Sequence, residues 1–275
     1  MRSFTVSADG NLKDFTDCAY PQGSFYFSAL LRGKDIKVNG VRVSKNVRVK
    51  AGDEIVYYTS QKQENTESHK IVYEDGNILV ADKFSGVTSE GLFSELCYGG
   101  EFYAVHRLDR NTSGLIVYAK TSEAEKALLA AFRERGVEKT YVALCKNEFV
   151  NDSATLTAYL VKDEKNSFVK VYGKEIEGGA KIITQYKVLK KRGDVAVIEI
   201  MLHTGKTHQI RAHMAYIGCP VLGDEKYGDC ELNKKYRLKR QCLIAKYLTF
   251  GKDTHLPEIG GRTFESSFVL PELND

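Results

Sequence analysis

The chain has 275 residues, of which 43% are hydrophobic and 28% charged, with a net charge of +4. That length suits one sizeable domain plus a small one, and the composition excludes general disorder. No apolar run approaches a membrane span and Met1-Arg2-Ser3-Phe4-Thr5 lacks the apolar core of a secretory signal, so the cytoplasm is the expected location.

The charge is localised. Residues 1–63 carry ten Lys/Arg against six Asp/Glu, and the other 212 residues carry 30 of each. Within residues 32–50, Arg32, Lys34, Lys37, Arg42, Lys45, Arg48 and Lys50 face only Asp35, a concentration of positive charge that attracts a polyanion. Residues 25–31 are predicted to form a buried helical segment. After it, Asn39-Gly40 between alternating apolar residues predicts a hairpin, and residues 54–58 predict a strand after the Gly52-Asp53 turn. Residues 59–70 contain no large apolar side chain and read as a linker. The expected division is 1–60, a linker at 61–70, and a larger unit at 71–275.

The larger unit opens its chemistry at His106-Arg107-Leu108-Asp109-Arg110-Asn111-Thr112-Ser113-Gly114. This polar stretch lies between two apolar runs, Phe102-Tyr103-Ala104-Val105 and Leu115-Ile116-Val117, which read as strands. One carboxylate, Asp109, is set among cations on a loop at the end of a sheet, where rigid scaffolds hold functional groups. A surface ion-pair cluster is the simpler alternative. A protein-kinase catalytic loop is excluded, because Leu108 separates Arg107 from Asp109 and no glycine-rich nucleotide loop is present.

Residues 122–135 predict a helix with an apolar stripe of Ala124, Ala127, Leu128, Ala131 and Phe132, a capping box of Ser122 with Glu125, and Gly136 as its end. A strand at 140–144 follows, then a hairpin of 181–189 and 195–202 around Lys191-Arg192-Gly193-Asp194. Next comes Thr204-Gly205-Lys206-Thr207-His208-Gln209-Ile210-Arg211-Ala212-His213. Gly205-Lys206-Thr207 is no phosphate-binding loop, since Ile200 occupies the position that needs glycine. A helix is expected from about Thr207, with Ile210, Met214 and Ile217 facing inward and His208 and Arg211 on another face, stopped by Gly218 and Pro220. His203, His208 and His213 recur every five residues, not at zinc-binding helical spacing, and the six cysteines form no C-x-x-C pair. No metal site is expected, and the thiols read as reduced.

Two of these segments resemble known families. The run from Val38-Asn39-Gly40 to Val43, with Val49 and Gly52-Asp53, resembles the alpha-L RNA-binding domain found in a small-subunit ribosomal protein, tyrosyl-tRNA synthetases and many pseudouridine synthases. The Asp109 loop resembles the RluA-type pseudouridine synthase signature, HRLD, two variable residues, then TSG. The later run resembles that family's TGR-x-HQIR-x-H, followed by G-x-P at Gly218 to Pro220 and GD-x-x-YG at Gly223-Asp224 and Tyr227-Gly228. Lys206 stands where the family has arginine, and Ile244 where it often has histidine.

The resemblance implies an α+β fold, with a mainly antiparallel central sheet flanked by helices and a small α+β RNA-binding domain at residues 1–60. It implies isomerisation of uridine to pseudouridine in structured RNA, ribosomal RNA favoured over transfer RNA, by base flipping and without a cofactor. Asp109 would be the catalytic residue, acting at the sugar as nucleophile or as base. Arg211 would pair with it, Tyr141 would pack beside the target base, and Arg107 would fill the gap left by the flipped nucleotide. His106, Thr112, Lys206, His208 and Gln209 would contact substrate, and Arg42, Lys45 and Arg48 would bind RNA from the basic unit. A monomer with RNA as its partner is expected. A non-catalytic RNA-binding or ribosome-assembly factor of the same fold is the alternative, and intact Asp109, Tyr141 and Arg211 argue against it.

Overall fold

The computed structural model describes residues 1–20, 27–60, 67–163 and 168–273. The chain divides into two compact units, Met1–Arg110 with Val117–Glu125, and Asn111–Ile116 with Lys126–Asp275.

The first unit begins with β1 (Arg2–Thr5), β2 (Gly10–Asn11), α1 (Leu12–Ala19), α2 (Phe27–Gly33), β3 (Ile36–Val38), β4 (Val41–Arg42), β5 (Arg48–Val49) and β6 (Glu54–Tyr57). Four of these strands form a sheet in the order β1-β6-β3-β4. The β3–β4 turn is Asn39 and Gly40 with φ of 48° and 81°, the paired positive φ of a two-residue hairpin turn. Leu12, Leu30, Leu31, Ile36, Ile55 and Tyr57 form the core under the sheet. The helix expected over 25–31 is α2, shifted toward Gly33; residues 25 and 26 lie outside the described residues.

The described residues of the stretch expected as a linker are packed into the fold. Thr59 is buried against the Tyr20 hydroxyl at 2.8 Å, and Ser68 is buried with its hydroxyl on Glu95 at 2.8 Å. His69 and Lys70 already belong to β7 (His69–Glu74), while residues 61–66 lie outside the described residues. Short polar side chains read as solvent-loving in a sequence, yet they bury readily once hydrogen-bonded. β7 pairs antiparallel with β8 (Ile78–Lys83), a strand buried at every residue. α3 (Ser89–Gly99) follows, capped by the Thr88 hydroxyl, and then the short β9 (Tyr103–Ala104).

β10 (Ser113–Ala119) and α4 (Ser122–Arg133) contribute residues to both units. The second unit continues with β11 (Val137–Lys146), β12 (Ser153–Asp163), β13 (Phe168–Tyr172), β14 (Ala180–Arg192), β15 (Val195–Leu202), α5 (Gln209–Tyr216), α6 (Cys230–Lys235), β16 (Leu243–Phe250) and β17 (Thr263–Glu265). Its strands run in the order β13-β12-β14-β15-β11-β16, with β17 on β16. These pairings are antiparallel, whereas the start of β10 lies parallel to β16, so the sheet is mixed.

Three local expectations shift. Thr121, not Ser122, caps α4, its hydroxyl accepting the Ala124 N–H at 3.1 Å, and the left-handed residue after the helix is Arg135 (φ 62°) rather than Gly136. The β14–β15 turn narrows to Gly193-Asp194, because Lys191 and Arg192 pair with Ala196 and Val195. α5 is no two-faced helix: residues 209–214 are all buried.

Candidate active site

In the first unit the Asp109 loop is fixed from both sides. Ser89, buried at the start of α3, donates its hydroxyl to the Leu108 carbonyl at 2.8 Å and accepts the Leu108 N–H at 2.9 Å. Leu108 is itself buried, anchoring the residue before Asp109. After it, the Arg110 carbonyl accepts from the Gly86 N–H at 2.8 Å and from Lys83 Nζ at 3.2 Å. Lys83 is 0% exposed, and its ammonium also donates to the Val87 and Phe84 carbonyls at 2.8 and 3.1 Å. Burial pushes its pKa down to about 7, against the opposing pull of Asp109 and Glu90. Lys83 thus places a cation in the electrostatic field of Asp109 while it ties together the turn after β8 and the loop. Asp109 is left half-buried between two anchored neighbours.

The flanking residues divide by direction. His106 Nε2 accepts the Val117 N–H at 2.9 Å, which locks the loop to β10. Arg107 is exposed and meets Glu90 at 3.2 Å. The basic hairpin is also presented to solvent. Arg42, Lys45 and Arg48 are exposed, and Arg42 and Lys37 stand over the Tyr58 ring at 4.8 and 5.1 Å.

In the second unit Thr112 is buried and accepts from Gln241 Nε2 at 2.9 Å. Gly114, at φ 111°, lies so close to β16 that a Cβ there would stand 2.3 Å from the Ala245 carbonyl oxygen. Only glycine fits that approach. Tyr141 is buried on β11, opposite Ile200 and Ala245.

Arg211, 8% exposed, makes a two-pronged bond to Asp224: Nε to Oδ2 at 2.6 Å and a terminal nitrogen to Oδ1 at 2.9 Å. Burial alone would raise the Asp224 pKa. The Arg211 guanidinium and the Lys226 and Tyr227 N–H groups outweigh it and hold the carboxyl below its ordinary value. Tyr227 lies under the guanidinium at 5.2 Å, accepts the Val169 N–H and hydrogen-bonds His208 Nδ1, both at 2.9 Å. His208 enters the helix in the left-handed conformation, φ 54°.

Gln209 works inside the fold. It donates to the Ile183 carbonyl and the Thr184 hydroxyl, and accepts from the Thr204 hydroxyl and the Lys206 N–H, with all four bonds between 2.8 and 3.1 Å. It shapes the turn that presents the exposed Lys206. His213 is buried on Thr184, and burial lowers its pKa to about 4, so it is a neutral structural group. Lys83, Ser89 and Asp224 are the site-building residues that sequence reasoning misses. Asp224 lay within a quoted motif, but neither its partner nor the burial of Lys83 has a sequence signal.

Among the described residues no group of three or more His, Cys, Asp or Glu could hold a metal ion. No helix among them is long and apolar enough to cross a membrane. All six cysteines are free thiols.

A solved structure titled Human RNA Pseudouridylate Synthase Domain Containing 1 shares this fold. It has a TM-score of 0.59 and 28% identity, covering 73% of this chain and 91% of that one. The family profile described as RNA pseudouridylate synthase matches residues 94–216, a span that contains Asp109, Tyr141 and Arg211. Ribosomal large subunit pseudouridine synthase C of Rickettsia bellii is 32% identical over 82% of this chain and 86% of its own. An uncharacterized RNA pseudouridine synthase of Aquifex aeolicus is 34% identical over 79% and 76%. The chain therefore belongs to the RNA pseudouridylate synthase family, and is an isomerase.

Proposed function

We propose that the chain converts uridine to pseudouridine in ribosomal RNA, with Asp109 as the essential group. The observation that carries the assignment of Asp109 is its double anchorage, by Ser89 at Leu108 and by Lys83 at Arg110. Backbone anchored on both sides fixes where the Asp109 side chain leaves the loop, which narrows the orientations it must sample to reach a sugar carbon.

The target base must leave its stack before the sugar can be reached. The bond from C1′ to N1 of uracil then breaks, the base turns, and a bond forms from C1′ to C5. The proton on C5 is lost and N1 ends protonated, so substrate and product are isomers and no cofactor is consumed. Asp109 acts at the sugar, as nucleophile on the anomeric carbon or as base at its neighbour. Arg211 supplies a guanidinium to the reaction, and Asp224 keeps it fixed in one orientation. Tyr141 packs beside the uracil and is placed to move the proton at C5. Arg107, exposed at the loop, fills the space the uridine vacates. His106 and Thr112 brace the loop, while Lys206 and His208 face the RNA from the turn that Gln209 supports.

Residues 1–60 act as an RNA-docking domain through Arg42, Lys45 and Arg48, and the catalytic domain occupies residues 71–275. The enzyme works as a monomer in the cytoplasm. Ribosomal RNA is favoured because the Rickettsia bellii relative is named for the large ribosomal subunit. Mapping pseudouridines in ribosomal and transfer RNA from cells with and without the gene tests this. The expected result is loss of one or more large-subunit positions. Loss confined to transfer RNA would overturn the target.

A further inference from the structure

Lys139 lies two residues before Tyr141 on β11. The register shift between Thr140 and Tyr141 falls against β16, and the pairing with β15 is unbroken from Thr140 onward. Strand alternation therefore puts Lys139 and Tyr141 on the same face of the sheet.

The Lys139 side chain is partly buried. Its ammonium stands over the Phe132 ring at 5.5 Å and against the backbone of Gly205, where a Cβ would come within 3.3 Å of Nζ. Among the described residues no carboxylate, carbonyl or hydroxyl is paired with it. Burial holds its pKa below the ordinary lysine value. A partly buried ammonium without an anion is unfavourable for the fold alone, whereas the buried Gln209 amide has partners at both its oxygen and its nitrogen. Gly205 adds no side chain over the ammonium, and Lys206, the next residue, is exposed.

We propose that Lys139, beside Gly205, and Lys206, the residue after it, form a phosphate site that grips the RNA backbone next to the uridine being isomerised. The proposal rests on the RNA reading above and adds a residue to it. An ammonium beside a glycine suits a phosphodiester, because the oxygens can approach the backbone where a Cβ would stand, and the exposed Lys206 is the next residue. The site would fix the strand on the same sheet face as Tyr141.

The test compares the full chain with Lys139→Met and Lys139→Arg. Affinity for a fluorescein-labelled oligouridylate is read by anisotropy over a range of salt concentrations, and turnover on a ribosomal RNA transcript is measured alongside. Lys139→Met should raise Kd and KM about tenfold and make the salt slope shallower by about 0.7, the release expected from one single-strand phosphate contact. Its melting temperature should be equal to or above the parent's, since methionine keeps the stem and removes a partly buried charge. Lys139→Arg should retain most of the affinity. Unchanged Kd and slope in Lys139→Met would overturn the proposal, as would weaker binding accompanied by a lower melting temperature. A parent chain that binds RNA without forming pseudouridine would sink the proposed reaction, while Kd still decides the phosphate site. A parent that binds no RNA would sink both.

Discussion

Replacing Asp224 with asparagine tests whether the Arg211 pair is as buried and as tight as its geometry. The carboxylate accepts four hydrogen bonds, two from Arg211 and one each from the Lys226 and Tyr227 N–H groups. Asparagine keeps one acceptor oxygen but turns an N–H₂ toward a guanidinium that can only donate. Removing one partner of a buried pair leaves the other charge uncompensated, at a cost of about 3–5 kcal/mol. At roughly 2–4 °C per kcal/mol for a body of this size, the unfolding midpoint of the second unit should drop by about 6–20 °C. The chain has no tryptophan and 16 tyrosines, so calorimetry with tyrosine emission is the suitable assay. The loss should depend on pH in a defined direction. The folded Asp224 pKa is depressed, so its contribution is complete above the ordinary carboxylate pKa near 4 and fades as pH falls through the folded value. Arg211→Met with Asp224→Leu should recover most of the lost stability, because a buried pair can be replaced by apolar groups, yet remain inactive. A loss below about 1 kcal/mol in Asp224→Asn would mean a solvent-exposed pair and refute the reasoning.

Three further outcomes are expected. In the parent, the depressed Lys83 pKa of about 7 makes stability rise as pH goes from that value toward 10, by at most about 1.4 kcal/mol per pH unit. Urea unfolding of Lys83→Met across that range should lack this rise, and its turnover should fall because the Arg110 carbonyl loses its tether. Gly114→Ala should fail to accumulate as folded protein, since its Cβ would lie 2.3 Å from the Ala245 oxygen at φ 111°. A soluble variant with the parent's melting temperature would contradict that packing. Changing Arg42, Lys45 and Arg48 together to glutamate should leave the melting temperature within a few degrees and make the salt slope of RNA binding shallower by about 2–3. An unchanged slope would show that this charge is only a solvated face.

Much of the fold is legible because its signals are local. Asn39-Gly40 needs no tertiary information to specify a two-residue turn, and the stripe from Ala124 to Ala131 marks α4 by its period alone. The cap of that helix is misread by one residue because Thr121 and Ser122 are chemically equivalent candidates and only backbone geometry chooses between them. α5 reads as amphipathic because Gln209, Arg211 and His213 are polar, yet each is buried on a partner from a distant segment: Thr184, Asp224, and Thr184 again. Pairings of that kind have no periodicity. Asp109 stands out because a carboxylate among cations in a loop is unusual in itself. The residues that hold the loop do not stand out, because Lys83 at the end of a strand and Ser89 at the start of a helix look ordinary until the chain closes around them.

Asp109 is proposed to carry out the isomerisation while the fold around it only holds it in place. The most direct measurement is pseudouridine formation by purified Asp109→Asn on a transcript the parent converts, with RNA affinity and melting temperature recorded on the same preparation. No pseudouridine should be detectable, with affinity and melting temperature close to the parent's. Turnover above a small fraction of the parent's would contradict that role for Asp109.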